Sequence, residues 1–217
     1  MRKGNQKKLL TAIYMLVLFV LWTVAVKFID VKAIGPMGSS VGFATVNGFF
    51  HHLTDVHMSM YTITDWLGLV PFAFMGGFAV FGLVQLIKRK NLLKVDYSIL
   101  VLGGFYVLVF AAYILFEIFV VNYRPVLIDG VLEASYPSST TMLVMCVMPT
   151  ALMQFNSRIK NHFAGKILAL VISSFTVFMV GGRLVSGVHW ISDIIGGALL
   201  SVGLVELYSF TCGLKSK

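Results

Sequence analysis

The sequence predicts an all-α membrane protein: a polytopic bundle of six transmembrane helices with both termini on the cytoplasmic side. Three observations carry this reading. Of the 217 residues, 58% are hydrophobic and only 12% are charged, too little polar surface for a water-soluble domain of this size. Six apolar runs reach the roughly 20 residues needed to cross a hydrocarbon core: residues 9–29, 66–87, 97–121, 138–156, 166–184 and 191–212. Lysine and arginine gather in alternate loops between those runs, as retention on the cytoplasmic side requires. The runs take up most of the chain, so residues 1–217 are expected to form one membrane-embedded domain.

The first run follows a basic start, MRKGNQKK, and so resembles a signal peptide. It is too long for one, and its cleavage-like stretch Thr23-Val24-Ala25 is poor, so it reads as a retained first helix. The stretch from Asp30 to Asp65 is Gly-rich and then aromatic, which suits amphipathic helix in the outer interface. It contains His51, His52, Asp55 and His57. Adjacent histidines point different ways on a helix, so an interfacial loop is the plain reading beside a metal site or a proton donor. Pro71 and Pro149 are expected to kink the second and fourth spans, and the pairs Gly76-Gly77, Gly103-Gly104, Gly181-Gly182 and Gly196-Gly197 to let helices approach closely.

With the N-terminus inside, the inner segments collect Arg2, Lys3, Lys7, Lys8, Lys88, Arg89, Lys90, Lys94, Arg158, Lys160, Lys166, Lys215 and Lys217. Lys27, Lys32, Arg124 and Arg183 fall on or near the outer side. The net charge of +8 is thus mostly a topology signal with some attraction to anionic membrane lipids, and it calls for no nucleic acid. Trp66 and Trp190 are placed at the outer boundary and Trp22 in the outer half of the first span. Cys146 and Cys212 lie within spans, far apart, with neither disulfide nor metal spacing. Nothing in the sequence sets an oligomeric state.

Three polar clusters break the apolar pattern, all at the outer ends of spans: EIFVVNYRP (117–125), YPSSTTM (136–142) and GRLVSGVHWISD (182–193). His189 and Asp193 are four residues apart, so on a helix beginning near His189 the carboxylate would bond one imidazole nitrogen and leave the other free. Arg124 and Arg183 end the third and fifth spans, and two guanidiniums aimed at one place receive a tetrahedral oxyanion. Ser138, Ser139 and Thr140 follow Pro137 at a helix start, where free N–H groups also favour an anion. Singly, each cluster has a structural explanation: arginines snorkel, Ser-Ser-Thr caps a helix, and a His–Asp pair packs. Together they describe a phosphate pocket with a histidine beside it.

These residues resemble the three signature motifs of the type 2 phosphatidic acid phosphatase superfamily, membrane lipid phosphatases related to vanadium haloperoxidases. That family reads Lys, six residues, Arg-Pro; then Pro-Ser-Gly-His; then Ser-Arg, five residues, His, three residues, Asp. Arg124-Pro125, Pro137-Ser138, Arg183, His189 and Asp193 match with the right internal spacing. The resemblance implies that His189 attacks phosphorus to form a phosphohistidine, that Asp193 orients it and that the arginines hold phosphate, without a cofactor or metal. The motifs depart from the pattern at Glu117 (family lysine), Ser139-Thr140 (family Gly-His) and Gly182 (family serine). The missing histidine is the family's general acid. Two roles stand open for Glu117: an ion pair with Arg124 two helical turns on, or a protonated carboxyl that replaces the lost donor.

The expected substrate is a phosphorylated lipid at the outer leaflet of a cell membrane, most simply a bacterial one. A pyrophosphate such as undecaprenyl pyrophosphate suits the site because phosphate leaves without help from an acid. The alternatives are a catalytically silent relative that binds or moves a phosphorylated lipid, and a head-group transferase.

Overall fold

The structure, a computed structural model, describes residues 3–215; the topology charges Arg2 and Lys217 lie outside the described residues. Eight helices follow in chain order: α1 (Lys3–Phe28), α2 (Ala44–Thr54), α3 (Met58–Leu67), α4 (Leu69–Arg89), α5 (Tyr97–Ile118), α6 (Ser139–Asn156), α7 (His162–Val185) and α8 (Ile191–Leu214). Side chains set several of these starts. Asn161 accepts the N–H groups of Phe163 and Ala164 at the head of α7, and Ser138 accepts that of Thr141 at the head of α6.

Among the described residues, five segments are long and apolar enough to cross a membrane: α1, the joined α3–α4 rod, α5, α7 and α8. α6 falls short of that apolarity, and the reason is its position. It packs against α4, α5, α7 and α8, so it needs little lipid-facing surface. Its polar groups find partners inside the bundle. The Thr150 hydroxyl donates to the Cys146 and Val147 carbonyls, and the Gln154 amide to the Tyr208 hydroxyl and the Ser98 carbonyl.

α1 packs along α8, with Leu16 so close to Gly203 that an added Cβ would lie 2.8 Å from it. The core runs through α5, α6 and α8, centred on Leu102, Phe105, Met142, Val147 and Leu204. The stretch expected to be interfacial helix forms α2 and α3.

Several expectations need correcting. Pro71 falls in the first turn of α4, where its missing N–H costs no bond, and the interruption between α3 and α4 sits at Gly68 instead. Of the four glycine pairs, Gly76, Gly77, Gly103, Gly104 and Gly181 have open space where a Cβ would go, and Gly182, Gly196 and Gly197 mediate close packing. Trp190 is buried rather than set at a headgroup boundary, and donates its indole N–H to the Tyr123 carbonyl at 2.7 Å. Trp22 likewise donates inward, to the Ser192 carbonyl at 3.0 Å.

The two ends of the bundle differ in chemistry. At one, Asp96 gathers Arg89 at 2.9 Å and Arg158 at 3.6 Å. At the other, the C-terminal ends of α5 and α7 meet the N-terminal ends of α6 and α8, and the three motif clusters lie there.

Candidate active site

His189 belongs to the short connection between α7 and α8, and its shape follows from the residues around it. Gly187 takes φ +66°, and an added Cβ would sit 2.0 Å from the Asp55 carbonyl oxygen, so only glycine lets the α2–α3 connection press against this loop. The His57 N–H donates to the Ser186 carbonyl at 3.0 Å and ties the same two segments together.

α8 begins at Ile191, after His189, so His189 and Asp193 do not share a helical face as expected. The carboxylate instead folds back over the first turn: Asp193 Oδ2 accepts the Trp190 N–H at 3.0 Å. That leaves Oδ2 3.8 Å from His189 Nδ1, beyond hydrogen-bond length. The Ser135 hydroxyl fills the gap. It donates to Asp193 Oδ2 and lies 3.3 Å from Nδ1. Asn122 and Ser192 approach the other oxygen, Oδ1, at 3.4 and 3.5 Å.

Arg124 reaches the opposite side of the ring, its Nη1 3.3 Å from His189 Nε2. A guanidinium can only donate, so Nε2 presents its lone pair and the ring proton resides on Nδ1. Burial pushes the His189 pKa down to about 4; Asp193 opposes this, while Arg124 and, more weakly, Arg183 add to it. The imidazole is therefore neutral at physiological pH, the state a nucleophile needs.

Arg183, in the last turn of α7, is 2% exposed. Its Nη2 donates to Asp65 Oδ1 at 2.9 Å and its guanidinium lies 5.0 Å from the Tyr61 ring centre. Nε and Nη1 are buried without a partner. Buried guanidinium N–H groups left without an acceptor are costly. Arg183, Asp65, Ser139 and Thr140 form the polar end of a cavity of about 310 Å³ whose remaining wall is mostly apolar, including Leu69, Phe72, Phe110 and Leu143. Arg124 and His189 do not line it. A smaller cavity lined by Glu117, Ser135 and Ser139 adjoins it, sharing Tyr113, Ser139 and Met142.

Ser138 is spent on structure: its hydroxyl caps α6 and its N–H donates to the Asp193 carbonyl at 3.1 Å. Glu117 does not pair with Arg124, because α5 ends at Ile118 and the helical register expected to align them stops there. The partner of Arg124 is Glu133, with Oε2 3.0 Å from Nε. Gly182 stands where the motif has serine because α3 packs against it; a Cβ there would lie 2.7 Å from Thr64 Cγ2. That close approach brings Asp65, the residue after Thr64, onto Arg183. His51 packs its ring 5.4 Å from that of Trp190. Among the described residues, no three His, Cys, Asp or Glu side chains gather as a metal cage would require.

The sequence profile of the PAP2 superfamily matches residues 104–211, which contain all three clusters. The chain belongs to the PAP2 superfamily. It is also similar, with a TM-score of 0.61, to the crystal structure of a transmembrane PAP2 type phosphatidylglycerolphosphate phosphatase from Bacillus subtilis. The likeness covers 92% of this chain and 94% of that one at 19% sequence identity, a level that establishes the shared fold. No curated protein sequence matches the chain. This member of the superfamily keeps the two arginines, the histidine and the aspartate of the motifs with Pro125, Pro137 and Ser138, and departs from them at Glu117, Ser139, Thr140 and Gly182.

Proposed function

We propose that the protein removes phosphate from a lipid phosphate or pyrophosphate through a phosphohistidine at His189. The observation that carries this is the position of His189 Nε2, 3.3 Å from an Arg124 nitrogen that can only donate to it. The two unpartnered N–H groups of buried Arg183 support it.

The chemistry is as follows. Phosphate oxygens take up the free N–H groups of Arg183 and the helix start at Ser139 and Thr140, with the positive end of α6 behind them. Arg124 exchanges Nε2 for a phosphate oxygen as acceptor. The Nε2 lone pair then forms the N–P bond while the P–O bond to the leaving group breaks, its electron pair staying on the departing oxygen. Water attacks the phosphohistidine, which frees His189 and releases inorganic phosphate. Asp193 stabilises the charged ring between the two steps, as a buried carboxylate does for a working histidine.

Leaving-group ability selects among substrates. Thr140 is too weak an acid to protonate an alkoxide, so phosphate, already a stable anion, is the better leaving group and a polyprenyl pyrophosphate the favoured substrate. Glu117, which lines the smaller cavity with Ser139, is a carboxyl that could supply a proton. A lipid is favoured by the apolar wall of the larger cavity. Leu69, Phe72 and Phe110 of that wall are also open to the outside of the bundle, where acyl or prenyl chains would lie.

The topology drawn from the basic loops puts this end of the bundle on the extracytoplasmic side. A cysteine introduced at Asp129, in the turn between Ile128 and Val131, tests it: a membrane-impermeant thiol reagent added to intact cells should label it.

One observation favours a second reading. Asp65 already holds Arg183, and with Thr140 and Glu117 in place of the motif histidine and lysine, the site could bind a phosphorylated lipid without cleaving it. Phosphate release from phosphatidic acid, phosphatidylglycerolphosphate and polyprenyl pyrophosphate in mixed micelles separates the two. The parent should release phosphate from at least one and His189→Ala from none; equal rates for the two proteins would overturn the phosphatase reading.

A further inference from the structure

We propose that Ser135 is a positioning residue that links Asp193 to His189 and holds the imidazole in the tautomer with its proton on Nδ1. It rests on the reading of His189 as the nucleophile.

Backbone pairing sets both contacts to the ring. Residues 122–124 pair with residues 133–135: the Arg124 N–H donates to the Glu133 carbonyl at 3.0 Å, and the Ser135 N–H to the Asn122 carbonyl at 2.9 Å. One side of this short ribbon sends Arg124 to Nε2 and the other sends the Ser135 hydroxyl to Nδ1, so the ring lies between two side chains set by the same pairing. Ser135 is 3% exposed, which leaves its hydroxyl dependent on these partners.

A hydroxyl has one proton and two lone pairs. The proton of Ser135 goes to Asp193 Oδ2, an acceptor only, so toward the imidazole the serine oxygen accepts. Its partner must then be Nδ1–H. The alternative, direct donation from Nδ1 to Asp193, spans 3.8 Å. The orienting effect of the carboxylate therefore reaches the ring through the serine. When Nε2 gains phosphorus, the positive charge spreads to Nδ1–H and the same chain stabilises it. No proton changes owner in the relay.

The test uses the full chain in lipid nanodiscs with ¹⁵N-labelled histidine, the His189 signals being assigned by their loss in His189→Gln. In the parent, Nδ1 should be protonated and Nε2 not. Ser135→Ala should populate the Nε2–H form, and Ser135→Thr, which keeps the hydroxyl, should restore the parental shifts. Where substrate turnover is measured, Ser135→Ala should lower kcat about tenfold, in line with the loss of an outer partner of a working histidine, with little change in KM. An unchanged tautomer in Ser135→Ala would overturn the proposal. So would an Nε2–H ring in the parent, a result that needs no variant to fold. Because the tautomer is read without turnover, a chain that cleaves nothing can still show the relay, and an active one can lack it.

Discussion

Arg124 Nη1 lies 3.3 Å from Nε2 of His189, on the side of the ring away from Asp193. A cation held against a basic nitrogen resists its protonation, and burial acts in the same direction. Substrate phosphate, as a stronger acceptor than imidazole, can draw the guanidinium away and expose the lone pair at the moment it is needed.

The pH dependence tests this arrangement. His189 has a folded pKa of about 4 against an ordinary value of 6.5. The nucleophile should stay competent well below pH 6, with the acid limb of kcat/KM centred near 4 rather than 6.5. The sign for stability is the same: a base whose pKa is depressed on folding contributes full stability above about 6.5, and the contribution is lost as pH falls toward 4. Initial rates from pH 3.5 to 8 and thermal unfolding over that range check both. An acid limb at 6.5 would mean a solvated histidine.

If Arg183 holds phosphate as proposed, Asp65 competes with substrate for it. Asp65→Asn should tighten inhibition by inorganic phosphate about tenfold, since a hydrogen bond to a charged group is worth about 1.5–3 kcal/mol. It should also lower the melting temperature in phosphate-free buffer by leaving a buried cation without its carboxylate, with phosphate restoring it. Inhibition and melting temperature both unchanged would mean that the pair is incidental.

Gly187 should tolerate no side chain. Gly187→Ala places a Cβ against the Asp55 carbonyl at positive φ, a strain of about 1–3 kcal/mol, and moves the loop that carries His189. Lower thermal stability together with reduced turnover is expected; a parental melting curve would show that the α2–α3 connection does not brace this loop.

Restoring the motif histidine separates leaving groups. Thr140→His should raise phosphate release from an alkyl phosphate by about 10² to 10⁴, the usual contribution of a positioned acid, and from a pyrophosphate by far less. Equal gains on both would indicate that the histidine acts as a phosphate ligand here, and no gain would point to Glu117 as the existing donor.

The membrane helices are legible because lipid imposes a simple rule on composition, and His189, Asp193 and the two arginines stand out as candidates because few other reasons put such groups at helix ends. The structure brings Arg124 to His189 and leaves Arg183 Nε and Nη1 without a partner. What sequence could not supply were partners from distant segments. Ser135 looks like any loop serine until the pairing of residues 122–124 with 133–135 places it between Asp193 and His189. Glu133 and Asp65, the acids that hold Arg124 and Arg183, come from a loop turn and from α3, where no motif spacing applies. Of the two roles open for Glu117, the ion pair with Arg124 fails because helical register stops at Ile118 and Glu133 takes that place, and Gly182 makes sense only once Thr64 is seen against it.

The central claim is a covalent bond between phosphorus and His189 Nε2. Brief incubation with a ³²P-labelled lipid phosphate or pyrophosphate, a rapid quench into alkali and peptide mapping test it directly. Label should be retained in alkali, lost in acid and located on the peptide carrying His189, and it should be absent from His189→Ala. Phosphate release by the parent with no label on that peptide at any quench time would contradict the account.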